Sequence, residues 1–438
     1  MKTKNIFLAL IATALSSAMI SCDDFLDREP TSELAPETFF TDVSHLQAYA
    51  DKYYSSILPG NSGNSYGFYA NDKGTDNQIS QSAPSYFCTG EWRVPNSSGD
   101  WSFTNIYHLN FFFANVLPRF GEDLNGSGNT ISGDLKSIRH YIGELYTLRA
   151  LEYFKRYQAF GDYPIVTDPL TDNMEILTDA AKRSPRNEVA RFILSDLDKA
   201  AILMDGKDFQ TTRINRDVAL LLKSRVALFE ATWLKYFKGS AFVPNGEGWP
   251  GKTKEYNANY QYPTGSVEAE AKYFFQKAVD EAAIVGDAYV GKLDKNTGIV
   301  PQSLSDTNPY FYKFGNTDMS AYPEVLLWKA YNKGKGVTDN IEVAVNRGNT
   351  YTGFTRGMID AFLMKDGKPT YAHHDGYVYE DTTTHAVVRN RDPRLFIFLK
   401  RPGQKNVLQG EDNNIAAEQV RPIEPVPQVF TRSFDVNT

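Results

Sequence analysis

Between Asp42 and Gly286 apolar residues return every three or four positions in six separate segments, and this period restricts the chain to a fold built mostly of helices. In the first segment Val43, Leu46, Ala50, Tyr53, Tyr54 and Ile57 share a face, and Pro59-Gly60 stops the run. From Trp101 onward Ile106, Leu109, Phe113, Val116 and Leu117 repeat the pattern, with Trp101 itself read as a structural residue on that helix. A longer stripe runs through Leu135, Ile138, Ile142, Leu145, Leu148, Leu151 and Phe154 to Gly161, with Arg149 expected to pair with a carboxylate for the scaffold's sake. Ser184-Pro185 offers an N-cap and a first-turn proline ahead of Val189, Phe192, Ile193 and Leu197. Asn215 opens a stripe through Val218, Leu222, Val226, Phe229 and Trp233; Ser266 opens another through Val267, Ala271, Phe274 and Ala278, closed by Gly286. Short connections predict antiparallel pairs stacked side by side in a solenoid-like scaffold.

Two stretches break the pattern. Residues 60–100 alternate Gly, Asn, Ser and Asp with Tyr66, Phe68, Tyr69, Tyr86, Phe87 and Trp92, which reads as a long aromatic loop. From Tyr289 the chain loosens into Gly, Asn, Thr and aromatics, with a helix predicted over Gly357–Met364 and short strands such as Val325–Trp328.

The N-terminus has its own logic. Lys2 and Lys4, the apolar run Ile6–Leu15 and the small residues before Cys22 have the layout of a secretory signal over 1–21. Cleavage before Cys22 would free a thiol and an amine for acylation, and several acyl chains anchor stably where one does not. Residues 22–33, with Asp23, Asp24, Asp27 and Glu29, then read as an acidic, lipidated tether. Removing 1–21 takes away two lysines and no acid, so the formal charge of −7 becomes −9, which argues against nucleic acid and anionic lipid as partners. The membrane is expected to be met through the lipid alone. Cys88 is the only other cysteine, so stability must come from an apolar core.

Catalysis finds little support. No Gly-x-Ser-x-Gly, His-Glu-x-x-His or Gly-x-x-x-x-Gly-Lys motif occurs. His373-His374-Asp375 lacks further spaced ligands, and Asp294-Lys-Asn296-Thr-Gly298 lacks the closing glutamate of a calcium loop and reads as a turn. No cofactor and no metal are expected.

Several segments together resemble the SusD/RagB family of lipid-anchored nutrient-binding proteins. They are Cys22-Asp-Asp-Phe25-Leu26-Asp27 with Pro30 and Phe39-Phe40; Trp101 through Ile106-Tyr107 to Ala114-Asn115-Val116; and Glu144-Leu-Tyr-Thr-Leu-Arg149-Ala150-Leu-Glu-Tyr153-Phe154 running into Phe160-Gly161-Asp162-Tyr163-Pro164. Arg183-Ser184-Pro185, Arg213-Ile214-Asn215 and Arg391-Asp392-Pro393-Arg394-Leu395 follow in order. The resemblance implies tetratricopeptide-like helix pairs forming a right-handed superhelical scaffold over 34–288, followed by a loop-rich region over 289–438. It also implies a non-enzymatic outer-membrane protein, surface-exposed, that captures oligosaccharides for a SusC-like TonB-dependent transporter. Peptide capture is the alternative within binding proteins, and a surface glycoside hydrolase the alternative class. Family members continue past the point where this chain stops at Thr438, so a short or truncated C-terminus is expected.

A sugar offers an apolar C–H face and a rim of hydroxyls, so its site needs aromatic rings beside carboxylate, amide or guanidinium groups. The 60–100 loop has both: Trp92 next to Arg93, Tyr66 and Tyr69, and Asp76 and Asn77 as polar partners. The resemblance further implies that Asp76 sits where the family keeps a binding aspartate and that Tyr310 and Tyr312 belong to the ligand contacts, ahead of a cluster at Trp249, Tyr256, Tyr260 and Tyr262.

Overall fold

The structure is a computed structural model and describes residues 39–60, 72–79, 101–206, 209–301, 305–313, 316, 318–338 and 353–399. Cys22 and the tether lie outside these residues, as do Tyr66, Tyr69, Trp92 and Arg93. The chain is mostly α-helical. The stack comprises α1 (Val43–Ile57), α2 (Thr104–Phe120), α3 (Leu135–Phe160), the short α4 (Met174–Ala180), α5 (Arg186–Leu203), α6 (Arg216–Tyr236) and α7 (Val267–Tyr289).

Side-chain pairings give the directions. Asn110 and Phe113 of α2 meet Arg149 and Tyr146 of α3; Arg149 and Tyr157 of α3 meet Asp196 and Arg186 of α5. Lys223 of α6 reaches Asp198 of α5 and Glu281 of α7, while Ser224 Oγ donates to Ala278 O at 2.8 Å. From α2 through α3, α5 and α6 to α7, each helix therefore runs antiparallel to the last, as the short connections predict, while α4 buries no residue. One continuous core joins them, from Phe40 and Leu46 through Leu145, Ile193 and Val226 to Phe274. Helix α3 lies in the middle and is buried nearly all round, charged residues included, because α1, α2 and α5 all pack on it. At its contact with α5, a Cβ on Gly143 would lie 2.6 Å from Met204 Cγ and 3.2 Å from Ala200 O, so the two helices approach closely only because that residue is glycine.

Helix ends follow the sequence with instructive exceptions. Asn215 and Ser266 cap α6 and α7, accepting from the N–H of Val218 and Ala269. Ser184 does not cap α5. It is held in an antiparallel bridge with Tyr163, and Pro185 occupies the cap position. The missing acceptor comes from another element, as Asp162 Oδ1 takes the Arg186 N–H at 2.9 Å. Gly286 does not end α7. A mid-helix glycine costs only about 1 kcal/mol, and the helix stays tied to α6 beyond it, Tyr289 Oη donating to Asp217 Oδ2 at 2.9 Å. Trp101 lies before α2 rather than on it, 39% exposed, with the Arg183 guanidinium 4.5 Å over its ring.

After α7 come short elements: α8 (Pro309–Lys313), α9 (Arg356–Ala361), α10 (Thr384–Val388) and α11 (Pro393–Phe398). Strand β1 (Gln78–Ile79) pairs antiparallel with β2 (Gly353–Phe354). Val325–Trp328 is not a strand. Its backbone instead ties to the stack, the Trp328 N–H donating to Thr211 O at 3.0 Å and Asn215 Nδ2 to Leu326 O at 2.8 Å. A second small core of Ile359, Val388 and Leu395 forms around Arg391, whose fully buried guanidinium donates to the carbonyls of Ile359, Phe362 and Val387 at the end of α9 and in α10. Asp392 then caps α11, with Pro393 in its first turn, so Arg391-Asp392-Pro393 serves as one structural unit.

Candidate functional site

Four of the expected site residues are described, in two groups on the loop-rich unit. Asp76 and Asn77 precede β1, and their carbonyls accept from Thr355 Oγ1 and Thr355 N–H, which fastens this segment to the start of α9. Their side chains remain exposed. Tyr310 and Tyr312 lie on α8; Tyr312 is 38% exposed and its hydroxyl donates to Asp306 O at 3.1 Å. Asn308, fully buried, donates to Asn296 Oδ1 and Ile299 O, and Asn296 Oδ1 also accepts from the Gly298 N–H at 3.0 Å. The Asp76 group connects through α9 to the small core around Arg391.

A better-formed cavity occurs elsewhere, between the helix ends and the loop joining α6 to α7. It measures about 630 Å³. Its floor is Trp249, only 3% exposed, whose Nε1 donates to Asp162 Oδ2 at 2.7 Å. One wall is Trp233 on α6, with the Arg186 guanidinium 4.2 Å over its ring and its Nε1 donating to Phe242 O at 3.0 Å. At the rim Phe242 is 61% and Tyr256 45% exposed. The loop that forms this rim folds back tightly: a Cβ on Gly246 would fall 1.9 Å from Ser240 O, so only glycine fits there. Tyr262 Oη pins the same loop by donating to Pro244 O at 2.6 Å, and Asn257 Nδ2 ties it to Arg183 O at 3.0 Å.

The electrostatics of the cavity are uneven. Burial pushes the Asp162 carboxyl above its ordinary value, against the donors Trp249 and Arg186 N–H. Arg186 is matched by Glu230, which also takes the Tyr157 hydroxyl. Arg183 and Lys254 line the cavity with no carboxylate within ion-pair distance among the described residues. Sequence reasoning marked Trp249, Tyr256, Tyr260 and Tyr262 as a cluster. It assigned none of Arg183, Trp233, Phe242 and Lys254 to a site, because Arg183 belongs to the Arg183-Ser184-Pro185 motif, Trp233 sits in an apolar stripe and the other two carry no pattern. A second, more open hollow of about 480 Å³ lies on the loop-rich unit, lined by Thr383, His385, Arg389 and Phe396. Neither cavity includes Asp76, Asn77, Tyr310 or Tyr312. Among the described residues no group of three His, Cys, Asp or Glu is placed to hold a metal, and His374 is buried against Asp366 instead.

A stack of antiparallel helix pairs with an irregular partner unit defines a helical-repeat fold. Comparison gives it a family likeness. The chain is 24% identical over 263 residues to SusD-like protein P2 of Formosa agariphila, covering 56% of this chain and 46% of that protein, and 24% identical over 254 residues to SusD-like protein P25 of the same organism. The chain thus spans about half the length of the curated relatives it matches. In structure it matches a SusD-like protein of Bacteroides fragilis with a TM-score of 0.51 and 20% identity, over 84% of this chain and 63% of that one. A SusD-like carbohydrate-binding protein of the same organism matches with a TM-score of 0.50 and 13% identity, over 82% and 60%. No family model matches the chain. The chain therefore resembles SusD-like proteins, in fold and, at 24% identity, in sequence.

Proposed function

We propose that this chain captures oligosaccharides at the cell surface, held on the outer membrane by lipid on Cys22, and passes them to a SusC-like TonB-dependent transporter without cleaving them. The observation that supports the reading most is that, within a SusD-like fold, Tyr312 on α8 and the Asp76-Asn77 segment both present exposed side chains. Tyrosine rings give area to the C–H face of a sugar at small entropic cost, while carboxylate and amide groups take two neighbouring hydroxyls at once. Trp92, Arg93, Tyr66 and Tyr69 would complete this surface from the aromatic loop. A hydrolase would need two carboxylates about 5 to 10 Å apart across the bond; the residues proposed for this surface offer Asp76 alone.

Calorimetric titration of residues 23–438 against oligosaccharides and peptides, repeated with Trp92→Ala, tests the proposal. Saturable glycan binding that the substitution abolishes, with the glycan recovered intact, supports it. Binding of peptides alone, or release of shortened glycan, overturns it.

A further inference from the structure

We propose that the cavity floored by Trp249 is a second ligand site, separate from the loop-rich surface, and that it takes an acidic sugar residue, a ring bearing a carboxylate or a sulfate. Its volume of about 630 Å³ falls inside the range of roughly 300 to 1,000 Å³ that small-molecule sites occupy.

The shape of the ligand follows from the rings. Trp249, almost wholly buried, and Trp233, with the Arg186 guanidinium over its ring, are each fixed by an indole hydrogen bond and form a rigid base beneath the rim. Phe242 and Tyr256 stand largely open to water at the rim. Exposed rings gathered around a concavity mark a place where an apolar face is to be covered. The C–H face of a pyranose has the matching flatness and size.

The charge of the ligand follows from what is left unmatched. Asp162 has both oxygens engaged, one by Trp249 Nε1 and one by the Arg186 N–H. The Arg186 guanidinium is spent on Glu230 and Tyr157. What remains is Arg183, stacked on Trp101, and Lys254, whose side chain makes no hydrogen bond or ion pair among the described residues. Two unmatched cations on one cavity stand out in a chain with a net charge of −7. A neutral sugar would leave Lys254 without a counter-charge and Arg183 with only the unpaired influence of Asp162. A carboxylate or sulfate would meet them with charge-assisted hydrogen bonds, roughly twice as strong as neutral ones.

The test is titration of the full-length chain in detergent, followed by tryptophan fluorescence and calorimetry. The probes are a uronic-acid tetrasaccharide, a sulfated tetrasaccharide and a neutral glucose tetrasaccharide. At least one acidic probe is expected to bind, with affinity falling as salt is raised. Arg183→Gln with Lys254→Gln is expected to weaken it about tenfold, and Phe242→Ala to weaken it as well. The preferred acidic probe identifies the anion. Lys254→Gln alone keeps the test decisive if the double variant unfolds. The proposal is overturned if folded protein binds neither acidic probe, if the charge variants bind them as tightly as the parent, or if the neutral probe loses as much affinity in those variants. Loss of glycan binding in Trp92→Ala bears on the loop-rich surface only and leaves this site standing.

Discussion

Arg149 and Asp196 share two parallel hydrogen bonds between α3 and α5, Nε to Oδ2 at 2.7 Å and Nη2 to Oδ1 at 2.8 Å, with both side chains buried. The remaining Nη1 donates to Asn110 Oδ1 at 2.9 Å, and Asn110 Nδ2 donates in turn to Val166 O at 2.8 Å. One guanidinium therefore ties α2, α3, α5 and the Pro164–Val166 segment together. Removing Arg149 leaves the buried Asp196 with Lys199 alone, at 3.7 Å, and breaking a buried pair in this way costs up to about 3 to 5 kcal/mol. Arg149→Ala is expected to lower the urea midpoint accordingly, while Arg149→Met with Asp196→Leu recovers most of the loss. A double variant as unstable as the single one would show that the charge pair itself, rather than its burial, holds the helices.

The close approach at Gly143 gives a second expectation. Gly143→Ala drives a methyl against Met204, and overpacking of this kind costs about 1 to 3 kcal/mol. Combining it with Met204→Ala should cost less than the sum of the two, because each relieves the other. Strict additivity in thermal unfolding would mean that the helices separate rather than clash.

Glu270 carries the acid limit of the α5–α7 contact. Burial alone would raise its carboxyl, but hydrogen bonds from Arg191, Asn187 and Thr264 outweigh that and hold it below the ordinary value. A lowered folded pKa means stability that is present above the unfolded value of about 4.3 and is lost as pH falls through the folded one. Glu270→Gln is expected to destabilise the protein at neutral pH and to flatten the decline below that value. A parallel pair of pH profiles would remove Glu270 from the account.

Asn215 links the two halves, since its Oδ1 caps α6 through Val218 N–H at 3.1 Å while its Nδ2 holds Leu326 O at 2.8 Å. Asn215→Ala should cost about 1 to 2 kcal/mol. Hydrogen exchange should speed up at Leu326–Trp328 as well as at the start of α6. Faster exchange in α6 alone would show that the loop is held by Thr211 and Trp328 without it.

The helical stack was legible because its signals are local. Stripes at intervals of three and four mark α1, α2, α3, α5, α6 and α7, and caps at Asn215 and Ser266 state where two of them begin. Arg149, an arginine inside an apolar stripe, could be expected to find a carboxylate. Which carboxylate it found depended on the pairing of α3 with α5. Ser184 and Gly286 misled for the same reason: an antiparallel bridge to Tyr163 took the first out of its capping role, and packing on α6 carried α7 past the second. The cavity shows the difference most plainly. Trp249 and Tyr256 are visible as aromatics in a loop, yet Arg183, Trp233, Phe242 and Lys254 join them only because the ends of α3, α5 and α6 converge on one loop. Periodicity along a chain fixes which residues share a helix face, and contacts made between distant helices decide what those faces enclose.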